Sequence, residues 1–137
     1  MRFVTVYYSR GISGWDTHEN NFKTLKDSRL PQTDQALPAL LTDLDDRGLL
    51  DETLVYWTGD FGRTPKINKN AGRDHWGPCQ SAVLAGGGLH GGQLYGASDA
   101  QAAYPTTKPT APEDLPATLY HALGLSPDLE IHDRTGR

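Results

Sequence analysis

A single cysteine, Cys79, stands in these 137 residues, so no intrachain disulfide can form and the redox compartment is left open. Long apolar runs are equally scarce. The longest stretches, such as Phe3 to Tyr8, are far too short to span a membrane. The N-terminus does not have the form of a signal peptide, because Arg2 is followed by a short strand-like run in place of an extended apolar one. Positive charge is also in deficit: the formal net charge is −4, with a sequence pI near 5.6. A nucleic-acid partner therefore has no overall electrostatic support. Internal repeats and low-complexity tracts are absent.

What is plentiful is glycine and proline, fifteen and nine residues, which suits a loop-rich α/β domain better than a helical bundle. The length is that of one domain with room for a core. Phe3-Val4-Thr5-Val6-Tyr7-Tyr8, dense in β-branched and aromatic residues, predicts a buried strand. Arg10 to Gly14 is a glycine-punctuated turn, and Asn20 to Leu30 a short helix ended by Pro31. From Gln32 to Arg47 the positions Ala36, Leu37, Leu40, Leu41 and Leu44 follow helical spacing, with Pro38 as a kink or a start and Gly48 as the C-cap. Strands are expected over Thr53–Thr58 and Gln80–Ala85, with an edge strand at Gln93–Tyr95. Residues 99–112 read as an exposed loop, and Pro112-Glu113-Asp114 opens a final helix stopped by Gly124. The strands at 3–8, 54–58 and 80–85 are expected side by side in one sheet, covered by the leucines of the 32–47 helix.

Chemistry concentrates in two places. Leu54-Val55-Tyr56-Trp57 feeds into Thr58-Gly59-Asp60-Phe61-Gly62-Arg63-Thr64-Pro65, which sets a carboxylate between glycines at the end of a strand. A loop with Arg63, Lys66, Lys69 and Arg73 and no acid then leads to Asp74-His75. Strand, acid, cationic loop and imidazole, in that order, suit a hydrolytic metal site acting on an anionic ester. Upstream, Trp15-Asp16-Thr17-His18 offers a second Asp and His, whose i, i+2 spacing puts both on one face if the segment is extended. Each residue has a plainer role beside this one. Asp16 reads equally as a cap and His18 as a surface histidine, Asp60 as a loop cap, and the cations as a solvated loop. Among the cations, Arg63 and Arg73 have the planar fork that suits phosphate or sulfate oxygens. Gly86-Gly87-Gly88 is a tight turn, His90, His121 and His132 have no partners at ligand spacing, and Cys79 is a packing residue.

Gly14-Trp15-Asp16-Thr17-His18-Glu19-Asn20-Asn21, Arg47 to Val55, Gly59 to Pro65, Asn68 to Trp76 and Leu84 to Gly88 together resemble the bacterial domain-of-unknown-function family 1501. That family is similar in motif order to the alkaline phosphatase superfamily, which includes sulfatases. The resemblance implies an α/β fold, part of an alkaline-phosphatase-like three-layer sandwich with a mostly parallel central sheet and ligands at the carboxyl ends of its strands. It implies a divalent metal held by Asp16, His18, Asp60 and His75, zinc first, with manganese or calcium as alternatives. Asp74 is a supporting residue or substitute ligand, and Arg63 and Arg73 contact a small anionic ester. Phe61 stands where the superfamily has a histidine ligand, and the superfamily's nucleophile lies in an upstream half that this chain lacks. Residues 1–137 are therefore expected to be the C-terminal portion of a single sulfatase-like domain, partnered by the N-terminal half or another subunit; localisation is left open, an exported or periplasmic parent being one reading. The expected function is metal-dependent hydrolysis of phosphate or sulfate esters by the parent, with little activity in the isolated chain. The alternative is a non-catalytic binding or structural module on the same scaffold.

Overall fold

The computed structural model describes residues 3–8, 14–126, 128–130 and 132–136. It is a mixed helix-and-strand structure. A long helical run comes first: α1 (Asn21–Thr24), a π-helical turn (Leu25–Arg29) and α2 (Leu30–Asp46) follow one another without a break. Pro31 does not end the helix as predicted, and the π turn supplies the reason. The Leu30 N–H reaches back five residues to the Leu25 carbonyl. That wider turn absorbs a proline whose missing N–H would otherwise interrupt the ladder. Pro38 also stays inside α2. The helix ends at the expected place, with Gly48 at φ 66° and its N–H on the Asp45 carbonyl.

Short strands follow: β1 (Val55–Thr58), β2 (Gly62–Arg63), β3 (His75–Trp76), β4 (Ala82–Ala85), β5 (Ala97–Ser98) and β6 (Pro105–Thr107). They end in α3 (Asp114–Ala122). Among the described residues they make three two-stranded sheets, β1–β4, β2–β3 and β5–β6, and every pairing is antiparallel. No mostly parallel central sheet between helical layers is formed by them. Two of the three strands expected in one sheet do meet there, with Val55 opposite Ala85 and Thr58 opposite Ala82. Residues 3–8 do not join them, and Phe3, Val4, Val6 and Tyr7 are exposed. A strand needs a neighbour for its N–H and C=O groups, and among the described residues no strand pairs with this segment. Gln93–Tyr95 likewise forms no strand, and the predicted loop 99–112 contributes β6. Most of the turn predicted at Arg10–Gly14 lies outside the described residues.

The leucines of α2 do not cover a sheet. Leu40 is 47% exposed, and Leu37, Leu41 and Leu44 are only half-buried. Among the described residues no hydrophobic side chain is buried; the most enclosed side chains are the polar Thr17, Asn21 and Thr33. Two of those three sit beside the cluster of Asp and His residues. The segment before α1 packs on the β2–β3 hairpin, and the β1–β4 pair brackets that hairpin in sequence. Among the described residues no helix is long and apolar enough to cross a membrane.

Candidate metal centre

Two segments build the site. The first is Asp16 to Asn21, leading into α1. The second is the β2–β3 hairpin, which sets Arg63 opposite His75 and Gly62 opposite Trp76. Its ladder extends one step further, with the Thr64 N–H on the Asp74 carbonyl at 2.8 Å and the Asp74 N–H on Thr64 Oγ1 at 3.0 Å. The hairpin docks on the first segment through its backbone. The N–H groups of Asn20 and Asn21 donate to the carbonyls of Asn70 and Ala71 at 3.0 and 2.9 Å, and Arg73 N–H donates to the Thr17 carbonyl at 3.1 Å. Gly72 makes this approach feasible. A Cβ there would fall 1.8 Å from the His18 carbonyl oxygen, so only a residue without a side chain fits.

Docking brings Asp16, His18 and His75 together. Asp16 Oδ1 lies 3.0 Å from His18 Nε2 and 2.9 Å from His75 Nε2, and the two Nε2 atoms are 3.2 Å apart. All three ligand atoms fall within 4.8 Å of one another, on exposed side chains. The mouth opens beside a depression of about 400 Å³ lined by Asp16, His18, Glu19, Asn20, Thr24 and Asn70.

Asp60 is not a member of this trio. Its Oδ1 accepts the N–H of Phe61 at 2.9 Å and lies 3.7 Å from Arg63 Nη2. Arg63 in turn donates through Nη1 to Asp16 Oδ1, so its guanidinium stands between the two carboxylates. Phe61 packs its ring against that of His75 with centroids 4.3 Å apart and planes at 52°. Asp74 supports His18, not the adjacent His75: its Oδ1 accepts from His18 Nδ1 at 2.7 Å. Arg73 is committed to structure. Its Nη1 donates to the carbonyls of Thr64 and Pro65 at 2.6 and 2.9 Å, and its guanidinium lies over the Phe22 ring. Lys66 and Lys69 are exposed on the same loop. Asn68, which residue types alone did not single out, reaches both segments of the site.

These contacts set the ionisation of the site. Burial alone would raise the Asp16 carboxyl, but the His75 bond and the neighbouring Arg63 charge outweigh it and hold it below its ordinary value. The bond to Asp74 holds the His18 ring protonated beyond its usual pH, and the same bond lowers Asp74. With Nδ1–H given to Asp74, the neutral His18 ring presents a bare Nε2 toward Asp16 and His75, the arrangement typical of a histidine ligand and its carboxylate. Donors held about 2.0–2.2 Å from a tetrahedral ion lie about 3.3 Å apart. The observed separations of 2.9 to 3.2 Å fall somewhat short of that spacing, so a cation would spread the three donors slightly; one carboxylate with two imidazoles is a donor set that suits zinc.

A centre of this kind, on a hairpin docked to a helix start, defines a class of protein with a compact Asp-His-His cluster that could hold a cation. The whole chain, residues 1–137, matches the family described as Protein of unknown function (DUF1501), and it belongs to that family. No curated protein and no solved structure matches the chain.

Proposed function

We propose that this chain is the C-terminal part of a metal-dependent hydrolase of phosphate or sulfate esters, with Asp16, His18 and His75 as its metal ligands. The observation that carries the reading is the convergence of Asp16 Oδ1, His18 Nε2 and His75 Nε2 within 4.8 Å. A divalent cation bound there, zinc by donor type and manganese or calcium as alternatives, supplies Lewis acidity toward an anionic ester oxygen. The chain's own groups do the rest. Arg63 stands between Asp16 and Asp60 with its fork within reach of an oxygen anion at the centre. Asp60 serves as its second anchor, and Phe61 fixes the plane of the His75 ring.

The wider alkaline-phosphatase-like sandwich belongs to the same proposal. Its support is the exposed leucines of α2 and, among the described residues, the two open edges of the β1–β4 pair, which a larger sheet and its helices would cover. The hydroxyls in the two site-building segments are already engaged, Thr17 with Asn21 and Thr64 with Lys66 and Asp74. Both are tied into the framework, so in this reading the nucleophile would be a group from elsewhere or a water activated by the ion. That same observation favours the second reading, a non-catalytic module that holds its ion for structure or binding.

Calorimetric titration of the chain with zinc, beside Asp16→Asn, His18→Ala and His75→Ala, tests the centre. Stoichiometric binding, abolished in each variant, is expected, with little turnover of aryl phosphate or aryl sulfate by the chain alone. Failure of the unmodified chain to bind zinc, manganese or calcium would sink the metal reading. Brisk turnover that vanishes in His75→Ala would show that no further nucleophile is required.

A further inference from the structure

Asn68 lies outside the ligand set yet touches more of the site's framework than any ligand does. Its Oδ1 accepts the N–H groups of Asn70 and Gly72, each at 2.9 Å. Its Nδ2 donates to the His18 carbonyl at 2.9 Å and to Asp74 Oδ1 at 3.1 Å. Two donors and two acceptors are satisfied at once, and the pattern works in only one orientation of the amide: a flip would set an oxygen against a carboxylate and an NH₂ against two N–H donors. The backbone of Asn68 closes the same loop, with its N–H on the Gly72 carbonyl at 2.9 Å and its carbonyl accepting from Ala71 at 3.1 Å.

The chain of contacts runs on from there. The Asp74 oxygen that accepts from Asn68 is also the one bonded to His18 Nδ1, at 2.7 Å. One carboxylate oxygen is thus shared between a fixed amide and a ligand ring. Building on the metal reading above, we infer that Asn68 is the positioning residue of the centre. Its amide fixes the Asp74 carboxylate, and that carboxylate holds the His18 ring with Nε2 turned toward Asp16 and His75. The same amide grips the His18 carbonyl, so ring and backbone are set by one side chain. Outer partners of this kind typically alter metal affinity about 10- to 100-fold when changed.

Asn68→Asp is the decisive substitution. It retains the oxygen that accepts from Asn70 and Gly72, so the loop keeps its turn, but it sets a second carboxylate against Asp74. Zinc affinity is expected to fall about 10- to 100-fold. Asp74→Ala removes the carboxylate through which Asn68 acts, so a carboxylate at 68 then has no charge at 74 to oppose. The double variant Asn68→Asp/Asp74→Ala is therefore expected to lose less zinc affinity than the product of the two single losses. In the metal-free protein, the hydrogen-bonded Nδ1–H of His18, followed by nitrogen-resolved NMR, is expected to weaken in Asn68→Asp and to be lost in Asp74→Ala. Unchanged zinc affinity in Asn68→Asp, or a double variant that loses the product of the two single losses, would overturn the inference. If zinc fails to bind the unmodified chain while the NMR order holds, the positioning role stands and the metal reading falls. If zinc binds and the NMR order is absent, the reverse follows.

Discussion

Asp16 Oδ1 is the meeting point of the site, shared by Arg63 Nη1 and the Nε2 atoms of His18 and His75. Removing that oxygen as acceptor for a cation, in Asp16→Asn, is expected to weaken zinc by more than the roughly 10- to 100-fold typical of outer partners, read by titration. The pH dependence follows from the shifts. An ion must displace a proton from His18, whose ring stays protonated beyond its ordinary value of 6.5 because Asp74 accepts from it. Zinc affinity is therefore expected to climb as pH rises through and beyond 6.5. Asp74→Asn removes that hold, so the climb should begin at lower pH; a profile unmoved by the substitution would contradict the assignment. Metal-free stability has the opposite sign at this residue. The His18 contribution is complete below 6.5 and lost as pH rises through its raised value, while those of Asp16 and Asp74 are complete above 3.8 and lost on acidification. Without metal, stability is expected to be greatest between those two ordinary values, as thermal melts across pH would show.

Within the elements, three predictions separate steric from helical effects. Gly72→Ala would drive a methyl to within 1.8 Å of the His18 carbonyl oxygen, and the hairpin must move away from the first segment to relieve it. A cost of about 1–3 kcal/mol or more is expected, together with loss of zinc binding, since His75 rides on that hairpin. Gly48, with nothing within 4 Å of an added Cβ but φ at 66°, should tolerate alanine with only a modest thermal shift and unchanged zinc affinity. Pro38→Ala should raise helix content and stability by up to about 3 kcal/mol, because it restores an N–H inside α2. Circular dichroism reads the outcome, and no gain would mean that the proline's shape is used in packing. The start and end of α3 and the stop at Gly48 were legible in the sequence, because caps and helix-stopping glycines act within one turn. The π turn before Pro31 was not, since it is the backbone's local solution to a proline inside a helix that packing and length sustain.

At the scale of the whole molecule, the chain exposes 11198 Å². A compact monomer of 15.0 kDa exposes about 7,000 Å². The excess exceeds the roughly 800 Å² that each partner contributes to a standard interface. With no buried hydrophobic side chain among the described residues, the hydrophobic term that drives cooperative folding is small. The isolated chain is expected to melt over a broad range, to bind a hydrophobic dye, and to associate with rising concentration in sedimentation velocity. A sharp two-state transition in a monomer would argue against an uncovered face.

Asp16, His18, His75 and Asp74 stand out in the sequence because few residue types carry metal chemistry, and their spacing follows strand and turn signals that act locally. The families of helix and strand were readable for the same reason: periodicity, caps and glycines are short-range. Which carboxylate joins the histidines was decided by the tertiary structure. Asp60 and Asp16 both end up within reach of Arg63, but only the docking of the hairpin across Gly72 brings His75 to Asp16. The same docking assigns Asp74 to His18, 56 residues away, in preference to its neighbour His75. Antiparallel pairing and the unpaired residues 3–8 were likewise beyond the sequence, because a strand's partner is fixed by long-range contacts and not by its own composition. Local chemistry is written residue by residue; the distances that turn it into a site exist only once distant segments close on one another.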